Sequence, residues 1–227
     1  MIPSHRISRL LQSLVELCGL TPLIIGAVIV LFWFAATAKS QEVPPELFQV
    51  TASVGGCAAT VVEPFQNAKG EWKWVAITAA HCVRDGETKT IKLLYPPSQK
   101  KEFIGKCVYR DRSNDVAVIS FNPVNPVPFA KIGENPADGA EVFTVGYPSG
   151  ELKGKPSKII PSSYTDGSLK IDDDIWYGNS GGGLFHDGNL VGVASARTGS
   201  GESKGIFAST ESVKRAYHAA SVQLGFQ

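Results

Sequence analysis

Short apolar runs, separated by turn residues, dominate the chain from residue 57 onward. They are rich in valine, isoleucine, threonine and aromatic residues, which favour β-strands. The runs are CAATVV (57–62), WVAITAA (74–80), TIKLLYP (90–96), EFIGKCVY (102–109), VAVISF (116–121), EVFTVGYP (141–148), KIIPSSY (158–164), NLVGVASA (189–196) and GIFAST (205–210). Many short strands of this kind predict an antiparallel β-sandwich or β-barrel.

Two local patterns add detail to this all-β prediction. In FHDGNLVGV, Asp187-Gly188 stands between apolar residues, which is a strong signal for a β-hairpin. Segment 209–225 instead has helical spacing of its apolar residues, with Ser209 or Thr210 available as the N-cap. A single C-terminal α-helix is therefore expected to follow the strands.

The N-terminal segment differs from the rest of the chain. Residues 17–38 contain no charged side chain over 22 positions, long enough to span a bilayer as a helix. Arg6 and Arg9 precede this stretch, so the positive-inside rule places the N-terminus in the cytoplasm. The stretch ends in ATA, the small-x-small form of a signal-peptidase site. A membrane anchor, slightly favoured, and a signal peptide cleaved after Ala38 both stay open, and either places residues 39–227 outside the cytoplasm.

Segment 39–46 connects this hydrophobic stretch to the remainder. It contains two adjacent prolines, which resist helix formation, and is predicted to be an extended linker. No internal repeat and no second domain is evident after it. Residues 47–227 are therefore assigned to one folded domain.

Composition and charge exclude some classes of protein. The chain has 227 residues, 43% of them apolar, which is enough for one domain with a sizeable core. A formal charge of +1 argues against a nucleic-acid-binding protein, which would carry a strongly basic face.

The four cysteines indicate one disulfide bond. Cys18 lies in the hydrophobic stretch, which leaves Cys57, Cys82 and Cys107 for one bridge and one free thiol. No CxxC or HExxH pattern occurs, so no metal site is predicted.

One serine and one histidine stand out as candidates for chemistry. Ser180 lies in GNSGG (178–182), which suits either a nucleophile or a plain glycine turn. A nucleophilic serine needs a base, and His81 ends a strand-like run that would deliver it to a loop. His186, beside the hairpin turn, and His218, on the predicted helix, are expected to be surface residues.

Three stretches resemble, in order, the catalytic segments of trypsin-like serine proteases of the chymotrypsin fold: ITAAHC (77–82), NDVAVISF (114–121) and GNSGG. FTVGYPSG (143–150) is similar to a turn of the compact bacterial-type branch, which includes the HtrA and V8-like enzymes. CAATVV resembles the strand before the histidine loop, LVGVASA and GIFAST resemble the strands of the specificity pocket, and the C-terminal helix also fits. The similarity covers nearly all of 47–227, and no PDZ domain is expected within it.

The resemblance implies two antiparallel six-stranded β-barrels with the active site between them. It implies that Ser180 is the nucleophile, His81 the general base, and Asp115 the residue that orients and stabilises the imidazole. A monomeric serine endopeptidase is therefore expected, which acts on proteins or peptides through an acyl-enzyme, with no metal or organic cofactor.

The resemblance assigns supporting roles as well. The backbone N–H groups of Gly178 and Ser180 would form the oxyanion hole. Cys57 would pair with Cys82, and Ser195 would help to fix the triad aspartate and the substrate backbone. Asn179 stands where digestive-type relatives have an aspartate that pairs with a new N-terminus, so no N-terminal insertion switch is expected.

The substrate-binding pocket has two readings. Asp174, six residues before Ser180, and Gly205 match the positions of a pocket-floor carboxylate and a pocket-wall glycine, which suggests cleavage after Arg or Lys. On the other hand, Asp174 belongs to an acidic run that suits a solvated loop. Arg197 near the rim could also neutralise it.

The sequence offers two alternatives to a protease. GNSGG also satisfies the G-x-S-x-G elbow of α/β-hydrolases, but that fold needs the order Ser, Asp, His and a helix after the serine. His81 and Asp115 precede Ser180 here, so an esterase is excluded. A retired protease fold that acts as a membrane-tethered binding module is the remaining alternative.

Overall fold

The computed structural model describes residues 42–95, 99–199 and 202–226. The predicted hydrophobic helix or signal segment at 1–38 lies outside the described residues. No helix within the described ranges combines the length and the apolar character that a membrane crossing requires.

The first half of the domain is a closed barrel of six antiparallel strands. They are β1 (Thr51–Val54), β2 (Cys57–Gln66), β3 (Trp72–Thr78), β4 (Thr88–Leu94), β5 (Lys100–Asp111) and β6 (Val116–Phe121). Their order around the barrel is β1-β2-β3-β6-β5-β4. Because β1 pairs with both β2 and β4, the described sheet has no open edge.

The second half repeats this architecture. Its strands are β7 (Glu141–Gly146), β8 (Lys153–Ile160), β9 (Leu169–Ile171), β10 (Gly183–His186), β11 (Asn189–Arg197) and β12 (Gly205–Ala208). They follow the order β10-β11-β12-β9-β8-β7, and β7 pairs with β10 to close the barrel. The predicted fold of two six-stranded barrels is confirmed, and the Asp187-Gly188 hairpin joins β10 to β11.

Burial follows the position of each strand. Strand β8 alternates, with Ser157 and Ile159 buried on either side of exposed Lys158, as expected for a strand with one face in water. Strand β6 is instead buried at Val116, Ala117, Val118 and Ile119 in succession. The C-terminal helix packs on β5 and β6, which explains why β6 carries apolar side chains on both faces.

In the described part of the chain, two α-helices flank the barrels. Helix α1 (Pro45–Gln49) occupies the end of the segment that was expected to be an extended linker. Proline is compatible with the first turn of a helix, where its missing N–H would have no partner in the helix, and buried Leu47 anchors α1 to the core. Helix α2 (Thr210–Gln223) agrees with the predicted C-terminal helix, and the Ser209 side chain caps it.

Candidate active site

His81 lies in a 3₁₀ turn, Ala80–Cys82, that directly follows β3. Its two neighbours in the turn are buried, whereas His81 is exposed. A disulfide bond joins Cys57 to Cys82 and ties this turn to the start of β2. The pairing implied by the resemblance is confirmed, and Cys107 is a buried free thiol.

Asp115 lies in a tight turn immediately before β6. The Asp111 carboxylate organises this turn by accepting hydrogen bonds from the backbone N–H groups of Ser113 and Asn114. Asp115 itself has φ 53°, in the left-handed region that aspartate tolerates better than most residues. The turn thereby directs the Asp115 carboxylate toward the histidine turn.

The Asp115 carboxylate connects His81 to Ser195. Its Oδ1 accepts the His81 backbone N–H at 3.0 Å, and its Oδ2 lies 2.8 Å from His81 Nδ1. The Ser195 hydroxyl donates to the same Oδ2 at 2.5 Å. Ser195 sits at an irregularity in the pairing of β11 with β12, and such a bulge can redirect a side chain.

This network changes the protonation behaviour of both ionisable groups. The hydrogen bond to Asp115 raises the pKa of His81, although partial burial opposes that effect. Burial would raise the pKa of Asp115, but hydrogen bonds from His81 and Ser195 outweigh it and hold the pKa below its usual range. An ionised Asp115 beside a neutral His81 is the arrangement that a general base requires.

Ser180 lies in the long connection between β9 and β10, and backbone hydrogen bonds hold it in place. The Ala58 N–H donates to the Ser180 carbonyl at 2.8 Å, and the Gly181 N–H donates to the Ala194 carbonyl at 2.7 Å. Gly181 has φ +78°, and a Cβ there would overlap the Ala58 carbonyl oxygen. Both barrels therefore fix the serine, and only glycine fits the next position.

The position of Ser180 relative to the histidine follows from shared neighbours. Ser180 and Ser195 line the same cavity, and Ser195 is hydrogen-bonded to the carboxylate that holds His81. Within the described residues, no hydrogen bond joins the Ser180 hydroxyl to the His81 ring. Such bonds are often long before substrate binds and tighten in the complex.

The turn before Ser180 presents two backbone N–H groups. The Asn179 N–H donates to the Trp176 carbonyl at 2.9 Å, and Gly178 has φ +95° at the third position of this turn. A positive φ at that position is the feature of a type II turn. The N–H groups of Gly178 and Ser180 donate to no acceptor within the described residues.

A second turn braces this one. The 3₁₀ turn Pro148–Gly150 lies against it, and the Ser149 N–H donates to the Tyr177 carbonyl at 3.1 Å. The Tyr147 N–H donates to the Gly178 carbonyl at 3.3 Å. The Tyr177 carbonyl and the Gly178 N–H belong to one planar peptide group, so the hydrogen bond from Ser149 also fixes the orientation of that N–H.

The predicted specificity residues lie beside a cavity of about 500 Å³, called the specificity cavity below. Its lining is Ile175, Trp176, Tyr177, Ser180, Ser195, Ala196 and Arg197. Asp174 is the residue before Ile175 in the sequence and forms an ion pair with Arg197. The Arg197 Nη1 atom lies 3.3 Å from Asp174 Oδ2. Gly205 is buried, and a Cβ there would lie 2.9 Å from Ile175 Cγ2.

One group of potential metal ligands occurs in the described part of the chain: Cys57, His81 and Cys82. The two sulfur atoms are joined to each other in the disulfide bond, so they cannot act as thiolate ligands. This group therefore does not fit a metal ion.

Two supporting features of the site were not predicted from the sequence. Arg110, in β5, donates from Nε to the Ala80 carbonyl at 2.7 Å and so supports the histidine turn. The brace formed by the Pro148–Gly150 turn was not predicted either. No local pattern distinguishes these residues from ordinary strand and turn residues.

The two other histidines of the described residues, His186 and His218, take no part in this network. His218 is exposed on α2, as predicted. His186 is partly buried, and its Nδ1 lies 2.9 Å from the Glu141 carbonyl.

Comparison with known proteins gives a family match and two curated relatives. Residues 65–193 match the model of the trypsin-like peptidase domain. A probable periplasmic serine endoprotease DegP-like of Rickettsia prowazekii (strain Madrid E) is 29% identical over 134 residues, covering 53% of this chain and 25% of the relative. The protein of the same description from Rickettsia conorii (strain ATCC VR-613 / Malish 7) is 27% identical over 165 residues, covering 66% and 30%. The match thus spans about a quarter to a third of these relatives' length.

Solved structures share the fold at low sequence identity. The serine endoprotease from Yersinia pestis gives a TM-score of 0.64 at 17% identity, covering 79% of this chain and 67% of that one. The MamO protease domain from Magnetospirillum magneticum gives 0.61 at 17% identity, covering 75% and 96%. Rv3671c from M. tuberculosis H37Rv, a Ser343Ala mutant in an inactive form, gives 0.60 at 21% identity, covering 78% and 88%. These likenesses support the two-barrel fold.

Proposed function

The chain belongs to the trypsin-like peptidase family, and from that premise we propose that it is a serine endopeptidase with His81, Asp115 and Ser180 as its triad. The observation that carries the proposal is the hydrogen-bonded path from Ser195 through Asp115 to His81. This path lies beside a turn that presents Ser180 and two backbone N–H groups without acceptors among the described residues.

In the proposed acylation step, Ser180 attacks the carbonyl carbon of a substrate peptide bond. His81 Nε2 takes the proton from the Ser180 hydroxyl as the new C–O bond forms. Asp115 keeps the other ring nitrogen protonated and stabilises the imidazolium. The imidazolium then donates its proton to the leaving amine as the C–N bond breaks, which leaves an ester on Ser180.

The proposed deacylation step repeats this chemistry with water. His81 takes a proton from a water molecule, whose oxygen attacks the ester carbonyl. The Ser180–carbonyl bond breaks, and Ser180 recovers its proton from the imidazolium. The products are a carboxylic acid and the free enzyme, so the cycle needs no cofactor.

The N–H groups of Gly178 and Ser180 would stabilise the oxyanion formed in both steps. Each such donor is worth roughly 3 kcal/mol of transition-state stabilisation. The brace would make this hole available before substrate binds, since it holds the carbonyls of Tyr177 and Gly178 away from it.

We also propose that the catalytic domain works outside the cytoplasm. The disulfide bond suits an oxidising compartment, and both curated relatives are described as periplasmic. Residues 17–38 would anchor the domain, or would be removed after Ala38. Carbonate extraction of membranes with N-terminal sequencing separates the two: an anchored chain stays in the pellet with Met1 or its neighbour at the start, whereas a processed chain starts at Lys39.

A fluorophosphonate probe tests the enzymatic proposal directly. We expect it to label the full chain at Ser180, as located by mass spectrometry of the adduct. The label should be lost in Ser180→Ala and in His81→Ala, because the reaction needs both the nucleophile and its base. Circular dichroism of each variant verifies that the fold is retained.

A folded chain that takes no label would contradict the proposal. It would favour the alternative, a protease fold retired to binding. Labelling that persists in His81→Ala would show a reactive serine without the proposed base.

A further inference from the structure

Asp174 is already paired with a cation of its own chain. Arg197 Nη1 lies 3.3 Å from Asp174 Oδ2, and the two side chains are 42% and 30% exposed. The Arg197 guanidinium carbon also lies 4.8 Å from the centroid of the Trp176 ring. A carboxylate and an aromatic face therefore hold the guanidinium, and Trp176 and Arg197 both line the specificity cavity.

Two lysines also contact the acidic run 172–174. Lys155 Nζ lies 2.6 Å from Asp173 Oδ2 and donates to the Asp174 carbonyl at 2.5 Å. Lys204 Nζ donates to the Asp172 carbonyl at 2.6 Å. The carboxylates of Asp173 and Asp174 are thus each paired with a cation of the chain, whereas the Asp172 carboxylate accepts hydrogen bonds from the Ser157 hydroxyl and the Lys158 N–H.

The space behind Gly205 is filled as well. A Cβ at this glycine would lie 2.9 Å from Ile175 Cγ2 and 3.1 Å from Ile171 Cδ1. The glycine therefore accommodates two isoleucine side chains of the protein.

We propose that Arg197 is the specificity-determining residue, because it occupies the cation position that Asp174 would otherwise offer to substrate. This inference rests on the proposed function. The residue before the cleaved bond (P1) is then uncharged, and substrates with Lys or Arg at P1 are disfavoured. A basic P1 side chain would have to displace Arg197 from Asp174 and would place two cations in one cavity.

The Asp174–Arg197 pair allows a charge cycle of single and double variants. The substrates are internally quenched peptides that differ only at P1, with Val, Arg or Glu. In the wild type we expect kcat/KM to be about tenfold or more higher for Val than for Arg. Arg197→Gln leaves Asp174 unpaired, so the Arg:Val ratio should rise about tenfold or more. Asp174→Asn leaves Arg197 unpaired and should raise the Glu:Val ratio, and the double variant should show neither gain.

A binding readout does not depend on hydrolysis. Benzamidine is a cation that mimics a basic side chain, and calorimetry measures its binding to full-length Ser180→Ala protein. We expect no binding at millimolar concentration when Arg197 is present, and binding when Arg197→Gln is added. Lys204→Gln is the matched control, because it removes a neighbouring cation that contacts Asp172 and leaves the Asp174 pair intact.

Two results would overturn this inference. One is a wild-type enzyme that prefers Arg at P1, and the other is an Arg197→Gln variant whose Arg:Val ratio and benzamidine binding are unchanged. Fluorophosphonate labelling of every variant keeps the two proposals apart. If the variants are labelled but their P1 selectivity is unchanged, only the role of Arg197 is refuted. If the wild type is not labelled, the triad is refuted, and the benzamidine result still decides the role of Arg197.

Discussion

His81, which follows a strand of the first barrel, is held mainly by side-chain contacts, whereas Ser180, in the second barrel, is held by backbone contacts. His81 is fixed by the Asp115 carboxylate and by a disulfide at the next residue. Ser180 is instead fixed by main-chain hydrogen bonds, next to glycines at 178 and 181 with positive φ. Activity should therefore be lost when a side chain that holds His81 is changed, even conservatively. Near Ser180, activity should be lost when a methyl group is added to a glycine of the turn.

The largest expected effect on activity comes from a change in the Asp115 side chain, which holds His81. Asp115→Asn should lower kcat by roughly 10⁴-fold, because the amide neither stabilises the imidazolium nor selects the correct tautomer of His81. Steady-state kinetics measures the loss, and the melting temperature monitors the fold. Activity within tenfold of the wild type would show that Asp115 does not have the proposed role.

Activity should also be sensitive to a single methyl group added to the backbone turn before Ser180. Gly178→Ala forces an alanine to φ +95° and brings its Cβ into the Tyr147 carbonyl oxygen, so the turn and its N–H must move. We expect kcat to fall by about 10²–10³-fold, the cost of one oxyanion donor. Gly139→Ala is the matched control: its φ is +82° but no atom lies within 4 Å of the added Cβ, so its kcat should not change.

Removal of the disulfide should affect stability more than chemistry. The bond closes a loop with a sequence separation of 25, and its loss should cost about 3 kcal/mol of unfolding free energy. Denaturant unfolding of the Cys57→Ala/Cys82→Ala protein measures this, and reductant should affect the wild type only. An unchanged midpoint would show that the barrel holds the histidine turn without the covalent tie.

The smallest expected effect is a shift in the titration of His81. The hydrogen bond to Asp115 raises the pKa of His81 above its ordinary value of 6.5, so the imidazole should stay protonated to a higher pH than a free histidine. NMR titration of Ser180→Ala protein measures this midpoint, and Asp115→Asn in the same background should lower it. Consequently the proposed base becomes active only above that midpoint, and activity should fall on acidification.

Local sequence patterns predicted most strands of the fold and the candidate residues of the site. Each predicted apolar run contributes to a strand, because alternation and β-branched composition act over neighbouring residues. Strands β1 and β9, with four and three residues, were missed, since so short a segment gives little periodicity. Helix α1 was missed because paired prolines also suit an extended segment.

The amino-acid sequence alone determined which residues are candidates: GNSGG, ITAAHC and the aspartate before VAVISF stand within short, ordered motifs. Only the tertiary structure decided that Asp174 faces Arg197, 23 positions away, and that the Pro148–Gly150 turn braces Gly178. These contacts join segments from different strands and loops. The closure of the barrels determines which of these segments come into contact, and the local spacing of residues along the sequence does not predict these contacts.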